Sequence, residues 1–310
     1  MISSLKRKPI VIVGPTASGK SAVAMAVGQA ETNVASPIHI VAVDAMQVYR
    51  DMNIGTAKPT KQDQQLLPHH CLDLVDSHER FTVAEFKKNA VESLFGIDSS
   101  GGRAILVAGT GLYLTAVIDD LMLPGEFTEI REELDQEPDT SKLFDRLADL
   151  DPVAVKKIER SNRRRIIRAL EVCIGSQQPF SSFGPGTGAY PENGIIQIGL
   201  RWDREVLAQR VADRVYAMMN DGFLAEVESL CNSKNGLSRT ASQALGYKEL
   251  LLHLEGKTSL DQAIADTITH TRQFAVRQER WFRRDPRIKW ISIDQDPVGE
   301  IMPIIAQHLR

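Results

Sequence analysis

The chain opens its pattern with four consecutive apolar residues, Ile10-Val11-Ile12-Val13, that stop abruptly at Gly14-Pro15. A short β-branched run bounded by a turn predicts a strand buried on both faces. Comparable runs at 38–43, 104–107, 195–200 and 288–293 predict further strands. Helical spacing takes over between them. Residues 22–30 are Ala-rich, and over 203–219 the apolar stripe Leu207, Val211, Val215 and Met218 predicts a helix with one buried side. Alternation of this kind predicts an α/β fold, a mostly parallel sheet with helices on both faces.

The strand pattern lapses between 119 and 194. The acids Asp119, Asp120, Glu126, Glu129, Glu132, Glu133, Asp135, Glu137 and Asp139 crowd its first part, which reads as a solvated helix face without a function of its own. Gly and Pro punctuate 181–194 and predict a mobile loop. We therefore expect a catalytic core built from 1–118 and 195–310, with 119–194 inserted as a small all-helical lobe.

A chain of 310 residues with 43% apolar and 25% charged side chains has ample material for such a core. Cys71, Cys173 and Cys231 fit no zinc or disulfide spacing, which points to a reducing compartment. No apolar stretch is long enough to span a bilayer, and the N-terminal apolar run breaks too early for a signal peptide. A soluble, cytoplasmic protein is expected, with a monomer as the default because no heptad run appears. The net charge of −3 argues against a nucleic-acid partner only until its distribution is considered.

Candidate chemistry begins directly after the first strand. Gly14-Pro15-Thr16-Ala17-Ser18-Gly19-Lys20-Ser21 matches G-x-x-x-x-G-K-[ST] in full, between a strand and a helix as that motif requires. Backbone N–H groups of such a loop turn inward around phosphate oxygens, and the helix N-terminus adds its dipole. Lys20 contributes a point charge, and the Ser21 hydroxyl is placed to ligate Mg2+ between two phosphates. The motif specifies a diphosphate or triphosphate and leaves the reaction open.

The second strand runs into Asp44-Ala45-Met46-Gln47. An acid at the carboxyl end of a parallel strand lies where open α/β sheets bind ligands. Asp44 can hold a metal, accept a proton from an attacking group, or merely cap the next helix. The third strand runs into Ala108-Gly109-Thr110-Gly111, where Thr110 either faces the same cleft or starts a helix. Three adjacent residues cannot easily converge on one ion, so His69, His70 and Cys71 are assigned structural or substrate-positioning roles.

Basic residues gather in two stripes. Residues 160–168 hold five arginines and no acid, among them Arg164, Arg165 and Arg168, and open a helix with Ile166, Ile167, Leu170 and Val172 on its buried side. Near the C-terminus Arg272, Gln273, Arg277, Arg280 and Arg284 share a helical segment with Phe274, Trp281 and Phe282. Two such stripes in an acidic chain favour a polyanionic partner. Arg210 and Arg214 lie four residues apart beside the stripe of the 203–219 helix, and periodicity does not say which reaches the phosphate site.

In order along the chain, "GPTASGKS", "DAMQVYRDMNIGTAKP", "PHH", "GTGLY", "RRRIIRALEV", "RVADRVYAMMNDGFLAEVESL", "QALGYKE" and "TRQFAVRQERWFRR" resemble the tRNA dimethylallyltransferase family over nearly the full length. Ala108, Asn162 and Val276 depart from the family's usual Gly, Asp and Lys, and none removes a catalytic group. The resemblance implies a P-loop core whose loop holds the diphosphate of dimethylallyl diphosphate. It implies Mg2+ as cofactor and the anticodon stem-loop of tRNA as partner. The reaction it implies is transfer of the dimethylallyl group to the exocyclic amine of the adenosine beside the anticodon, with diphosphate leaving.

On this resemblance Asp44 would be the general base, and Lys20 and Arg214 would stabilise the diphosphate. Thr16 would hydrogen-bond at the substrate. The tRNA would be met by Asp44, Ala45, Met46, Gln47 and Thr110, by Arg164, Arg165 and Arg168, by Gly246, Tyr247 and Lys248, and by Arg272, Gln273 and Arg277. A P-loop kinase or other ATP-binding NTPase, a prenyltransferase of free adenine nucleotides, and an RNA-binding protein with a relic cradle are the alternatives.

Overall fold

The computed structural model describes residues 2–30 and 36–309. It begins with β1 (Ile10–Val13), α1 (Lys20–Ala30), β2 (Ile38–Val43), α2 (Lys61–Leu66), β3 (His69–His70), α3 (Val83–Ser99), β4 (Arg103–Ala108) and α4 (Gly111–Ile118). Three helices follow without an intervening strand: α5 (Thr128–Gln136), α6 (Thr140–Leu150) and α7 (Arg163–Ser176). The chain continues through β5 (Ile196–Arg201), α8 (Arg204–Asn220), α9 (Phe223–Cys231), α10 (Tyr247–Leu254), α11 (Leu260–Phe282), β6 (Ile288–Ser292) and α12 (Pro297–Leu309).

The unbroken apolar runs form strands because each alternate side chain has a core to enter. Val11, Val13, Val41, Val43, Leu106 and Ala108 pack on one face, against Phe86 and Leu94 of α3, Leu114 and Val117 of α4, and Phe223 and Tyr247. Ile10, Ile12, Ile38, Ile40, Ile105 and Ile198 pack on the other, against Val23 and Val27 of α1 and Ile301 and Ile305 of α12. A slip of one residue would exchange these faces, so the pattern fixes the register.

Among the described residues the sheet is wholly parallel, in the order β3-β2-β4-β1-β5-β6. The sequence pattern anticipates five of these strands. The sixth, β3, is two histidines after a proline and carries no apolar signature; it pairs with Ile40 and Val41. Val13 lies opposite Ala108, and Ala108 opposite Val43. The next residues of these central strands, Gly14, Gly109 and Asp44, therefore leave the sheet at one level and on one edge.

Capping fixes where several helices begin. Thr60 with Asp63 and Thr82 with Glu85 form capping boxes at α2 and α3, and the Asp203 carboxylate accepts from the N–H groups of Glu205 and Val206 at α8.

The chain divides into two compact units, Met1–Asp119 with Tyr190–Arg310, and Asp120–Ala189. Tyr190 and the residues up to 194, assigned from sequence to the inserted lobe, thus group with the sheet unit. In the smaller unit α5, α6 and α7 enclose Leu134, Leu143, Leu147, Ile158, Ile166, Ile167 and Leu170. Buried Asp151 accepts from the Ser181 N–H at 2.7 Å and its hydroxyl at 2.8 Å, and from Ala154 N–H at 2.9 Å. Backbone and side-chain donors hold this carboxyl below its ordinary range against the cost of burial. The segment 181–194 contains a short 3-10 turn at Gly186–Gly188.

Asp119 corrects the expectation of a solvated acidic face. Its carboxylate is 6% exposed and receives both Nη1 (2.7 Å) and Nη2 (2.9 Å) of Arg287. Arg287 also pairs with Asp285 at 2.7 Å and donates to the Pro191 carbonyl at 2.6 Å. Removing one partner of a buried pair strands its countercharge. Arg287→Met leaves Asp119 and Asp285 without their cation and is expected to cost about 3 kcal/mol in urea unfolding. Arg287→Met combined with Asp119→Asn is expected to recover part of that loss.

Candidate active site

The loop after β1 is held by one of its own side chains and by two groups from beyond β5. The Lys20 ammonium donates to the Pro15 carbonyl (2.7 Å), the Arg210 Nε to the Ala17 carbonyl (2.9 Å) and the Trp202 indole N–H to the Ser18 carbonyl (2.9 Å). With these three carbonyls held, the loop keeps a fixed shape in which N–H groups can be presented to an anion. Gly19 has φ +94°, a conformation that an L side chain rarely adopts. Arg210 stacks over Trp202, its guanidinium 4.3 Å from the ring, so this pair braces the loop as a unit.

Beside the loop lies a cavity of about 710 Å³. Lys20, Ser21 and Thr16 line it from the loop, Asp44 to Gln47 from the end of β2, Thr110 from the end of β4, and Arg214 from α8. Arg210 does not line it, which separates the two arginines that spacing alone left equivalent. Arg214 Nη1 donates to the Thr16 hydroxyl at 3.1 Å. A hydroxyl accepting there keeps its own hydrogen to donate elsewhere.

The electrostatics describe a site short of an anion. Burial, followed by the proximity of Arg214, depresses the Lys20 ammonium to about 7, while Asp44 acts the other way. Burial likewise lowers Arg214, again opposed by Asp44. Two cations share the cavity at a cost that a bound polyanion would reverse.

Asp44 is held by its own turn, Oδ1 accepting from Met46 N–H at 2.8 Å and Gln47 N–H at 3.3 Å. It caps a turn and not the next helix, which starts only at Lys61 with Thr60 as its cap, and it faces the cavity. Thr110 stands at the N-cap position of α4 without a side-chain capping bond, and its hydroxyl accepts from Ala45 N–H at 3.1 Å. Its role is to link the ends of β2 and β4. Gln47 spans to the carbonyls of Thr56 (3.0 Å) and Ala57 (3.2 Å), fixing the segment that closes this side of the cavity.

Two residues escape sequence reasoning. Gln278 of α11, 7% exposed, accepts from Thr16 N–H at 2.8 Å and donates to the Gly109 carbonyl at 2.8 Å. Glu226 of α9 accepts from the N–H groups of Asn53 (2.9 Å), Ile54 (2.7 Å) and Gly55 (3.2 Å), and from the Tyr247 hydroxyl at 2.5 Å. A Cβ on Gly55 would come within 2.2 Å of Phe223, so the loop packs at backbone distance. Burial and Glu226 together raise the Tyr247 phenol well above its ordinary value. An acid among helical polar residues gives no local signal of these contacts. The phrases around 53–59 and 243–248 do mark the two segments it joins.

The other residues singled out by sequence divide clearly. Ala45, Met46, Tyr247 and Arg277 line the cavity. Gly246 is buried with φ +84° and starts α10, its N–H bound to Glu249 at 2.8 Å, while Lys248 is exposed. Arg272 donates twice to the Ala208 carbonyl, at 3.1 and 3.0 Å, and Gln273 is exposed. In the smaller unit Arg164 and Arg165 are exposed, whereas Arg168 pairs with buried Glu171 at 2.6 Å and donates to the Pro124 carbonyl at 2.8 Å. Asn162 caps α7, accepting from Arg165 N–H at 3.2 Å as an aspartate would. His70 meets His39 at 3.0 Å across the β2–β3 edge, and His69 lines the cavity.

Fold and cavity together define a P-loop α/β enzyme. Comparison with known proteins narrows that class. The IPP transferase family matches residues 47–285, and the isopentenyl transferase family matches residues 8–75. The chain is 41% identical to the tRNA dimethylallyltransferase of Carboxydothermus hydrogenoformans, over 96% of each. It is 43% identical to that of Pseudarthrobacter chlorophenolicus, over 93% of this chain and 94% of the relative. A full-length tRNA isopentenylpyrophosphate transferase from Bacillus halodurans superposes with a TM-score of 0.70 at 33% identity, covering 98% of this chain and 97% of that one. A eukaryotic dimethylallyltransferase acting on tRNA gives 0.78 at 26% identity, covering 98% and 77%. The chain belongs to the IPP transferase family.

Glu226→Ala leaves the N–H groups of 53–55 without their side-chain acceptor. We expect unfolding stability to fall by about 2 kcal/mol in a urea titration. Hydrogen exchange at 53–55 should accelerate ahead of global unfolding.

Proposed function

We propose that the chain transfers a dimethylallyl group from dimethylallyl diphosphate to the N6 amine of the adenosine next to the anticodon in tRNA, releasing diphosphate. The observation that carries this reading is the cavity itself, in which two half-buried cations and the phosphate loop face one well-held carboxylate. The diphosphate would occupy the cradle of residues 14–21. Lys20 and Arg214 would balance the charge that grows on it as the allylic C–O bond breaks. An anion there also restores Lys20 to its charged form.

The adenine amine would attack the allylic carbon. Its nitrogen becomes strongly acidic as the C–N bond forms, and Asp44 would accept the proton. The Thr16 hydroxyl, its lone pair engaged by Arg214, would donate to the substrate oxygen. Mg2+ fits the donor set: the Ser21 hydroxyl offers a hard oxygen on this cavity, which leaves Asp44 free as the base. Among the described residues no cluster of His, Cys, Asp and Glu would bind a metal alone, so diphosphate oxygens and water would complete its shell. Bound there, the ion would neutralise leaving-group charge.

The acceptor base must leave its stack to reach a cavity of this depth, and a single-stranded loop allows that at lower cost than a helix. Exposed Arg164 and Arg165, with Arg277 at the cavity, would meet the backbone of the anticodon stem-loop, and the Asp120–Ala189 unit would be a tRNA-binding lobe. Among the described residues no helix is long and apolar enough to cross a membrane. We assign the protein to the cytoplasm as a monomer.

Incubation of unmodified tRNA with the protein, dimethylallyl diphosphate and Mg2+, followed by nucleoside mass analysis, should yield adenosine heavier by one dimethylallyl group. An ATP-only control should yield none. Failure with every tRNA tested would refute the assignment. Asp44→Asn keeps the acceptor for Met46 N–H and removes the base, so turnover should fall roughly 10²–10⁴-fold. Filter binding of tRNA should stay within about threefold of wild type; a parallel loss of affinity would sink the general-base role.

A further inference from the structure

The phosphate loop and the carboxylate of Asp44 belong to different strands, and the proposed reaction needs them held at a fixed separation. The Gln278 amide is the one side chain among the described residues that bonds to both the loop crest and the turn after β4. Thr16 N–H can only donate and the Gly109 carbonyl can only accept, so the amide has a single orientation. Ionised glutamate could not donate, and lysine or arginine could not accept. A primary amide of this length meets both needs at once.

The bonds continue past Gln278. The N–H groups of Gly109 and Thr110 each donate to the Val43 carbonyl at 3.2 Å, the residue immediately before Asp44. The Thr110 hydroxyl then takes the Ala45 N–H on the other side of Asp44. A path of hydrogen bonds therefore runs from Thr16, through Gln278 and the Gly109–Thr110 turn, to the backbone on both sides of Asp44. Gly109 sits where this path is narrowest. A Cβ there would lie 3.3 Å from Asp44 Oδ2 and 3.3 Å from Gln278 Nε2, a contact tight enough to push the carboxylate or the amide aside by a few tenths of an ångström.

We infer that Gln278 is a positioning residue that fixes the distance between the phosphate loop and Asp44, with Gly109 as the spacer whose missing side chain lets the carboxylate and the amide both approach its Cα. The inference rests on the proposed reading of the cavity as a prenyl-transfer site. Arg277, the preceding residue of α11, lines the same cavity, so the helix that offers a cation to the acceptor side also sets the geometry of the reacting groups. Small misplacements of reacting groups cost rate while leaving ground-state binding intact.

The test compares wild type with Gln278→Met, which keeps length and removes both bonds, and Gly109→Ala, which keeps the amide and wedges it. Circular dichroism first establishes that each is folded at the assay temperature, and Gly109→Ala decides alone if Gln278→Met is not. We expect kcat to fall about 10- to 100-fold in each variant, with the dissociation constant for tRNA within about twofold and KM for dimethylallyl diphosphate changing much less than kcat. The double variant should lose less than the product of the single losses, because both act on one junction. Hydrogen exchange at the Thr16 amide should be slow in wild type and at least about tenfold faster in Gln278→Met, a readout independent of turnover. A folded variant with kcat within twofold of wild type, or a rate loss fully matched by weaker tRNA binding, would overturn the positioning role. Absence of prenyl transfer in wild type counts against the reading of the cavity instead, and the Thr16 exchange comparison still decides whether the clamp exists.

Discussion

A loop that offers most of its backbone N–H groups to an anion has few left with which to hold itself together. Much of its shape is therefore imposed from elsewhere in the chain, and much of this structure is arranged around that constraint. The carbonyls of Pro15, Ala17 and Ser18 are fixed by Lys20, Arg210 and Trp202, and Thr16 N–H is fixed by Gln278. Two of these donors stand after β5 and at the second turn of α8, and the acceptor comes from α11. The cradle is contiguous in sequence, but its rigidity is assembled from residues some 180 to 260 positions further along the chain. Neither α8 nor α11 is therefore a mere cover for the sheet.

The same constraint explains the unusual electrostatics. Lys20 and Arg214 place formal charge on the cavity beside the loop. In water such a pair would remain ionised with ease. Inside the cavity Lys20 is pushed down to about 7, mainly by burial. The protein thus maintains an arrangement that is unfavourable until an anion enters, a form of preorganisation in which the charge is in place before the leaving group needs it. Asp44 shares the cavity, yet its Oδ1 is engaged by its own turn, which orients the carboxylate without drawing it into an ion pair at salt-bridge distance.

Sequence was most informative where function depends on contiguous backbone. The apolar run of β1, the glycine-rich loop and the acid at the end of β2 are local features with local physical causes, and parallel pairing then brings Gly14, Gly109 and Asp44 to one edge. Periodicity also gave the buried side of α7 correctly, since Ile166, Ile167 and Leu170 enter its core. It could not reveal β3, whose two residues are held by pairing with β2 rather than by their own propensity. Gln278 and Glu226 were invisible for a different reason. A polar side chain on a helix looks the same whether it faces water or a buried amide on another strand, and only the tertiary fold distinguishes them. Asp119 makes the converse point, because an acid inside an acidic run proved to be the buried partner of Arg287.

Counting arginines likewise overstated one property and concealed another. Arg168, Arg210, Arg272 and Arg287 are taken up by carbonyls or carboxylates of the protein, where they fix backbone segments. Their planar, multiply donating guanidinium suits that task better than an ammonium would. Arg164, Arg165, Arg277 and Arg280 are exposed and remain available to a polyanion. A chain with a net charge of −3 can therefore present basic surface, because part of its positive charge is spent on architecture and the rest stays exposed. The α11 segment joins both uses within adjacent residues: Arg277 extends to the cavity, and Gln278 holds the cavity's walls in register. Engagement of a polyanion on that helix would thus act on an element already bonded to the phosphate loop, with no separate relay required between acceptor and leaving group.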